Sequence, residues 1–300
     1  MALQIVSSNR YVINNDGAVA PASQPKTFND AAESYIANGG EARYLRPIVT
    51  YFADRPLSSI YPFDVQEMAK ALFPNVKNAT LNRQALTPVR AVINHAYDRG
   101  WRELIRLKNF KQQKPKDKVP ASALWVHLFV RQCEKEGALH VAGLILFMSQ
   151  TGARVSEAVA LQWPEVDIPA RTALLLKTKT ETNSTRHLTD VLVTRLQALR
   201  HQRSKLNPNR VFHYKCRFSV NERIRTICSH AEIEYKPSHV CGRYTYANTA
   251  IAMGVDIATA MAGGGWKSSA VFLGTYVKAR RNSGRIVADH FNQHQFDGEY

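Results

Sequence analysis

The stretch from Arg102 to Pro120 constrains this chain most. It carries seven basic residues against two acidic ones, with Pro115 and Pro120 inside it. Two prolines resist helix continuation, so the run divides the chain into blocks that must each bury their own apolar residues. Solvation alone would explain such a segment, but its charge and its place between two blocks favour contact with phosphates.

The first block reads as helical. Phe28-Asn29-Asp30 opens a segment with Ala31, Ala32, Tyr35 and Ile36, and Tyr44, Leu45, Ile48, Val49 and Phe52 follow at spacings of one, three and four. A third helix is expected from Asp64, with Val65, Met68, Ala69 and Leu72 on one face. A fourth runs from about Asn78 to Arg99, with Gly100 as its stop and Pro88 as a kink or interruption. Residues 1–26 are turn-rich and weakly periodic, a tail or short appendage.

The second block is mixed. Helical periodicity covers Ala123 to Lys135 and Leu139 to Met148, Gly152 ends a helix, and Ser156 to Leu161 begin another. A hairpin fits Ala173 to Leu176 and Thr185 to Leu188 around the polar turn Glu181 to Ser184. Helices resume at Asp190 to Arg203, Asn221 to Ala231 and Tyr244 to Met253.

A formal net charge of +16 draws this chain towards polyanions, nucleic acid first among them. A membrane surface is the rival, but the sequence lacks a run of eighteen apolar residues and a signal-peptide pattern, so a cytoplasmic, nucleoid-associated protein is expected. Cys133, Cys216, Cys228 and Cys241 form no Cys-x-x-Cys pair, which fits neither a zinc module nor a disulfide framework.

Chemistry concentrates around Thr151-Gly152-Ala153-Arg154, Lys179, His239-Val240-Cys241-Gly242-Arg243, Gly264-Gly265-Trp266 and Tyr276. A phosphodiester repels nucleophiles, and its pentacoordinate transition state gathers more negative charge on the equatorial oxygens. Preorganised cations there lower the barrier, and arginine suits the role because its planar fork donates two hydrogen bonds and stays charged. A phenol is a weak nucleophile at neutral pH, so it needs neighbouring cations to favour its phenolate.

Thr151 to Leu161 resembles the first arginine box of the tyrosine recombinases, the phage integrase family, and Thr80 to Trp101 resembles the last long helix of that family's core-binding domain. The resemblance spans roughly Thr27 to Lys278 and implies the fold: an α-helical N-terminal core-binding domain, and a mixed α/β catalytic domain, mainly α with a small β-sheet. The boundaries are a tail over 1–26, a helical DNA-binding domain over 27–110, a basic linker over 111–118 and a catalytic domain with a C-terminal tail over 119–300. Together the two domains would clamp duplex DNA.

The same resemblance assigns roles. Arg154 and Arg243 match the family's two arginines, and Glu157, one turn beyond Arg154, is placed to orient a guanidinium or a backbone group. Lys179 corresponds to the hairpin lysine that protonates the departing 5′ oxygen. Counting back from Arg186-His187-Leu188, which resembles the return strand, favours it over Lys177, although strand alternation puts both lysines on one side.

Two spacings depart from the family pattern. Three residues rather than two separate His239 from Arg243, so either the loop carries an extra residue and His239 reaches the phosphate, or Val240 takes its place. Trp266 lies ten positions before Tyr276, one more than usual, so either a residue is inserted or Lys267 takes the tryptophan's position. Tyr276 is the implied nucleophile, whereas Tyr244 and Tyr246 read as packing residues.

The activity implied is site-specific DNA cleavage and rejoining through a 3′-phosphotyrosyl intermediate, with neither metal nor nucleotide as cofactor. Double-stranded DNA is the partner, with self-association into a tetramer on it and an accessory bending or directionality factor as a further candidate. A topoisomerase-like strand passer and a DNA-binding protein that has lost cleavage are the competing readings. Ile286, Val287, His290 and Phe291 form an apolar stripe suited to docking on a neighbouring copy or on the chain's own domain.

Overall fold

Thr27 starts the first helix by a reciprocal cap. Its hydroxyl accepts from the Asp30 backbone N–H at 3.1 Å, and the Asp30 carboxylate accepts from the Thr27 N–H at 2.9 Å. Two N–H groups that the helix cannot satisfy are thereby paired. This is a computed structural model, and it describes residues 11–13, 19–21, 26–113, 117–176, 183–201, 208–277 and 282–293. The chain divides into two compact units, Met1–Lys116 and Asp117–Tyr300.

In the first unit a short antiparallel hairpin, β1 (Tyr11–Ile13) and β2 (Val19–Pro21), lies within the stretch expected to be a tail. The helices are α1 (Phe28–Ala37), α2 (Leu45–Phe52), α3 (Pro62–Leu72), α4 (Asn78–Leu81) and α5 (Thr87–Asp98). The third begins ahead of Asp64 because Pro62 suits a first turn, and the Asp64 carboxylate caps it by accepting from the Tyr61 N–H at 2.7 Å. The interruption expected at Pro88 is a π turn, Asn82–Leu86, between α4 and α5.

Residues just past α5 pack onto this unit instead of standing in solvent. Leu107 is buried in its core, and Asn82 holds Phe110 by two bonds, accepting from its N–H at 2.9 Å and donating to its carbonyl at 3.0 Å. Arg102 donates to the Leu57 carbonyl at 2.8 Å and to that of Ile60 at 3.3 Å. That guanidinium is committed to carbonyls within its own unit. Lys114 and Lys116 lie outside the described residues.

The second unit is built around one apolar helix. Its first elements are α6 (Ala123–Lys135), α7 (Leu139–Thr151) and α8 (Val155–Ala160), then β3 (Val166–Asp167), β4 (Thr172–Leu175) and β5 (Ser184–His187). Every residue from Val141 to Met148 is buried, so α7 is apolar around its circumference and forms the middle of the core. The strands form an antiparallel sheet in the order β3-β4-β5, with Thr172 opposite His187 and Leu175 opposite Ser184. The two-residue β3 is too short to leave a periodic signal in the sequence.

Next come α9 (Asp190–Arg200), α10 (Arg217–His230), a π turn (Val240–Tyr244) and α11 (Thr245–Ala252). The chain continues through α12 (Ile257–Gly264), α13 (Ser269–Val271), a third π turn (Phe272–Tyr276) and α14 (Ser283–Gln293). A small second core of Tyr244, Ala247, Ala260, Trp266, Phe272 and Tyr276 gathers these last elements. No helix of the described residues is long and apolar enough to cross a membrane.

Candidate active site

The C-terminal end of α7 sets the first position. Gly152 closes that helix at φ 67°, in the left-handed region that favours glycine, and a Cβ there would lie 3.0 Å from Gly264 Cα, Trp266 Cζ3 and Tyr246 Cδ1. The tight turn sends Arg154 to the start of α8. There Glu157, almost enclosed, accepts from the Arg154 backbone N–H at 2.8 Å and from its guanidinium at 2.5 Å. The expectation that Glu157 orients a guanidinium is met by this contact.

Arg243 is buried, only 2% exposed. Its Nη1 donates to the carbonyls of Gly152 and Gly264, the latter at 2.9 Å, while Nε and Nη2 make no well-formed hydrogen bond among the described residues, the Tyr276 hydroxyl being near enough to favour the charged form. The guanidinium carbon sits 3.4 Å from the centroid of the Trp266 ring and 5.8 Å from that of Tyr276. Burial, and next the Arg154 charge, lower its pKa to about 10, so it stays charged at neutral pH.

Both irregular spacings fall on π turns. In Val240–Tyr244 the Thr245 N–H reaches back to the Val240 carbonyl, and the Thr245 hydroxyl donates to the same oxygen at 2.8 Å. In Phe272–Tyr276 the Val277 N–H bonds the Phe272 carbonyl at 3.2 Å. An i→i+5 turn takes one more residue than an α turn and lets the flanking helix keep its direction. One such turn lies between His239 and Thr245, and the other ends at Tyr276.

The side chains brought together are therefore legible. The His239 ring lies 5.5 Å from that of Tyr276, while Val240 is buried in the turn. Trp266 packs edge-on against Tyr276 at 5.1 Å and Phe272 at 5.0 Å, whereas Lys267 is exposed. The Trp266 Nε1 is buried without a partner among the described residues, deep beneath the cluster. Burial foremost, then the charges of Lys118, Arg243 and Arg217, pushes the His239 imidazole down to about 4, so it is neutral at pH 7. Lys179 and its alternative Lys177 lie outside the described residues.

Tyr246 behaves as packing, stacking on Trp266 and donating its hydroxyl to the Ala260 carbonyl at 3.1 Å. Tyr244 is closer to the chemistry than its sequence reading, with its ring 6.0 Å from that of Tyr276 and its hydroxyl buried without a partner. Two further residues were not foreseen. Asn248 donates to the Tyr276 carbonyl at 2.6 Å and to that of Tyr244 at 2.8 Å, tying the Tyr276 segment to α11. Arg186 is buried on β5, and its signal was available, since alternation sets it on the inward face with Leu188.

Among the described residues no group of three His, Cys, Asp or Glu side chains is arranged to hold a metal ion. Cys133, Cys228 and Cys241 are buried and Cys216 exposed, all free. Burial raises the Cys133 thiol to about 12, which keeps it protonated.

Comparison with known proteins places this arrangement. No curated protein sequence matches the chain. Among solved structures, the Tn1549 transposon integrase in complex with circular intermediate DNA superposes with a TM-score of 0.69 at 17% identity, covering 87% of this chain and 99% of that one. The XerH site-specific recombinase bound to palindromic difH substrate gives 0.62 at 15%, covering 87% and 77%. A lambda integrase dimer bound to a COC′ core site gives 0.61 at 13%, covering 85% and 79%. At these identities the likeness is one of fold. The profile of the phage integrase family matches residues 126–283, more than half of the chain and nearly all of its second unit. By that match the chain belongs to the phage integrase family, the site-specific tyrosine recombinases.

Proposed function

We propose that this chain cuts and rejoins duplex DNA with Tyr276 as the nucleophile. The observation that carries the reading is Arg243, a buried guanidinium with two nitrogens in no well-formed hydrogen bond, stacked on Trp266 and next to the Tyr276 ring. A charge buried without an anion is costly, and a phosphate seated there would receive donors already in place. Arg154, held by Glu157, supplies the second cation.

The Tyr276 hydroxyl oxygen attacks phosphorus as the phenol gives up its proton to water, the Arg243 charge beside its ring favouring the phenolate. The bond from phosphorus to the 5′ oxygen breaks, leaving a 3′-phosphotyrosyl link. Lys179 protonates the departing oxygen, which leaves as a free 5′ hydroxyl. Attack by the 5′ hydroxyl of another strand reverses these steps and restores the diester and the phenol. The helical unit over 27–110 and the basic segment over 111–118 bind the flanking duplex, in the cell on nucleoid DNA.

The test is a substrate nicked beside the scissile phosphate, which traps the covalent adduct. Native protein is expected to form it, and Tyr276→Phe to form none while binding DNA with similar affinity. An adduct from the variant at the native rate would assign the chemistry to another tyrosine.

Active assemblies are tetramers on two sites, with an accessory bending factor for sites that must be folded together. In support, α14 leaves Val287 and Phe291 more than half exposed, so its apolar stripe is only partly covered within the chain. Truncation after Arg281 is expected to weaken two-site assembly, measured by sedimentation on DNA, more than single-site binding. Normal assembly of the truncated chain would confine the helix to packing on its own unit.

A further inference from the structure

Arg186 and Arg243 are the two largest fully buried side chains among the described residues. An enclosed guanidinium normally needs a carboxylate partner, yet Arg186 makes no ion pair among the described residues. Its bonds run to neutral oxygens: Nη1 to Ser184 Oγ at 2.7 Å and to the Thr185 carbonyl at 3.3 Å, and Nη2 to the Gly264 carbonyl at 3.1 Å. Burial lowers the pKa of Arg186, and the charge of Glu157, the carboxylate that holds Arg154, partly opposes that from a distance.

The Gly264 carbonyl also accepts from Arg243 Nη1 at 2.9 Å, so a single backbone oxygen is shared by both buried arginines. The next residue, Gly265, sits at φ 66°, and a Cβ on it would lie 2.3 Å from Arg186 Nη2. The turn that delivers Trp266 is therefore shaped around the Arg186 fork, with no space for a side chain between them. Moving Arg186 would release the carbonyl that anchors Arg243 and the turn carrying the ring on which Arg243 stacks.

We infer that Arg186 is a positioning residue for strand cleavage: from β5 it clamps the Gly264 carbonyl and the Gly265–Trp266 turn, and so holds Arg243 with Nε and Nη2 free for the phosphate. The inference rests on the reading of Arg243 as a phosphate ligand. It makes Arg186 act through Arg243 and Trp266, with no contact of its own to the reacting atoms.

The test uses the full chain on a nicked substrate at saturating DNA, with adduct formation, DNA affinity and thermal melting measured for Arg186→Lys, Ser184→Ala, Arg243→Ala and the double variants. Lysine keeps a charge but loses the fork, and is expected to slow cleavage roughly ten- to hundredfold while DNA affinity stays within about threefold. Ser184→Ala, which removes a single support from a half-buried position, is expected to slow cleavage a few-fold in a protein that melts normally. Because residues acting through one another are not additive, Arg186→Lys should cost nothing further in the Arg243→Ala background. Multiplying deficits, or native cleavage by both Arg186→Lys and Ser184→Ala, would overturn the inference. Should Arg186→Lys not fold, Ser184→Ala alone and combined with Arg243→Ala decides the matter. Native cleavage by Arg243→Ala would instead undo the reading of the site itself.

Discussion

The helical unit and the catalytic unit treat buried polar groups in opposite ways. In the helical unit Asn82 is matched to both backbone groups of Phe110, and Arg102 is spent on the carbonyls of Leu57 and Ile60. Among the described residues, all seven buried side-chain nitrogen and oxygen atoms without a partner lie in the catalytic unit. Four of them belong to Arg243, Tyr244 and Trp266, around Tyr276. Leaving a buried donor unpaired costs about 1–3 kcal/mol. A phosphate bound as proposed would reach those of Arg243, whereas among the described residues the helical unit leaves no buried side-chain nitrogen or oxygen unpaired.

The contrast breaks most visibly at the arginines. Arg243→Ala and Arg154→Ala are each expected to slow cleavage by roughly two to three orders of magnitude, the ~3–4 kcal/mol associated with losing one preorganised donor to a transition-state oxyanion. Single-turnover adduct formation measures this, and near-native rates for either variant would remove it from the site. Because its unpaired nitrogens go with it, Arg243→Ala should cost the free protein less stability than its burial suggests.

Asn82→Ala should show the reverse pattern. Loss of its two bonds to Phe110 is expected to destabilise the protein by about 1–3 kcal/mol in urea unfolding, with cleavage of bound DNA unchanged. A matching fall in the cleavage rate at saturating DNA would mean that the helical unit is not self-sufficient.

The smallest effect belongs to His239. Its folded pKa of about 4 lies below the ordinary histidine value, so the unfolded chain binds the proton first as pH falls. Its contribution to stability is complete above about pH 6.5 and is lost as pH falls through 4. His239→Gln should flatten the acid side of the stability profile between those limits. An unchanged profile would show that the imidazole is not held in its neutral form by the site.

Much of this was legible in the chain, unevenly. The opening of α1 at Phe28, the stop at Gly152 and the helix over Leu139 to Met148 are local patterns, and local rules read them correctly. The two spacings that departed from the family pattern left two alternatives each, because an added residue in a helix can either rotate everything beyond it by about 100° or be taken up in one wide turn. Nothing in Val240-Cys241-Gly242 or Phe272-Leu273-Gly274 alone chooses between these. In the structure both stretches contain π turns, and the rings of His239 and Trp266 lie beside that of Tyr276.

The grouping of Arg154, Arg243 and Tyr276 in one chemistry is what the family resemblance implies. By itself the sequence determined the division into a helical and a mixed block and the strongly basic character that suits a polyanion. These depend on composition and on periodicities of a few residues. The tertiary structure decided that Arg186 reaches the Gly264 carbonyl, that Asn248 holds the Tyr276 carbonyl, and that one oxygen of Gly264 serves two guanidiniums. Arg186 and Gly264 are 78 positions apart, and Arg243 and Gly264 are 21. Contacts at such separations are set by how helices and strands pack, and no short-range pattern of residues encodes them.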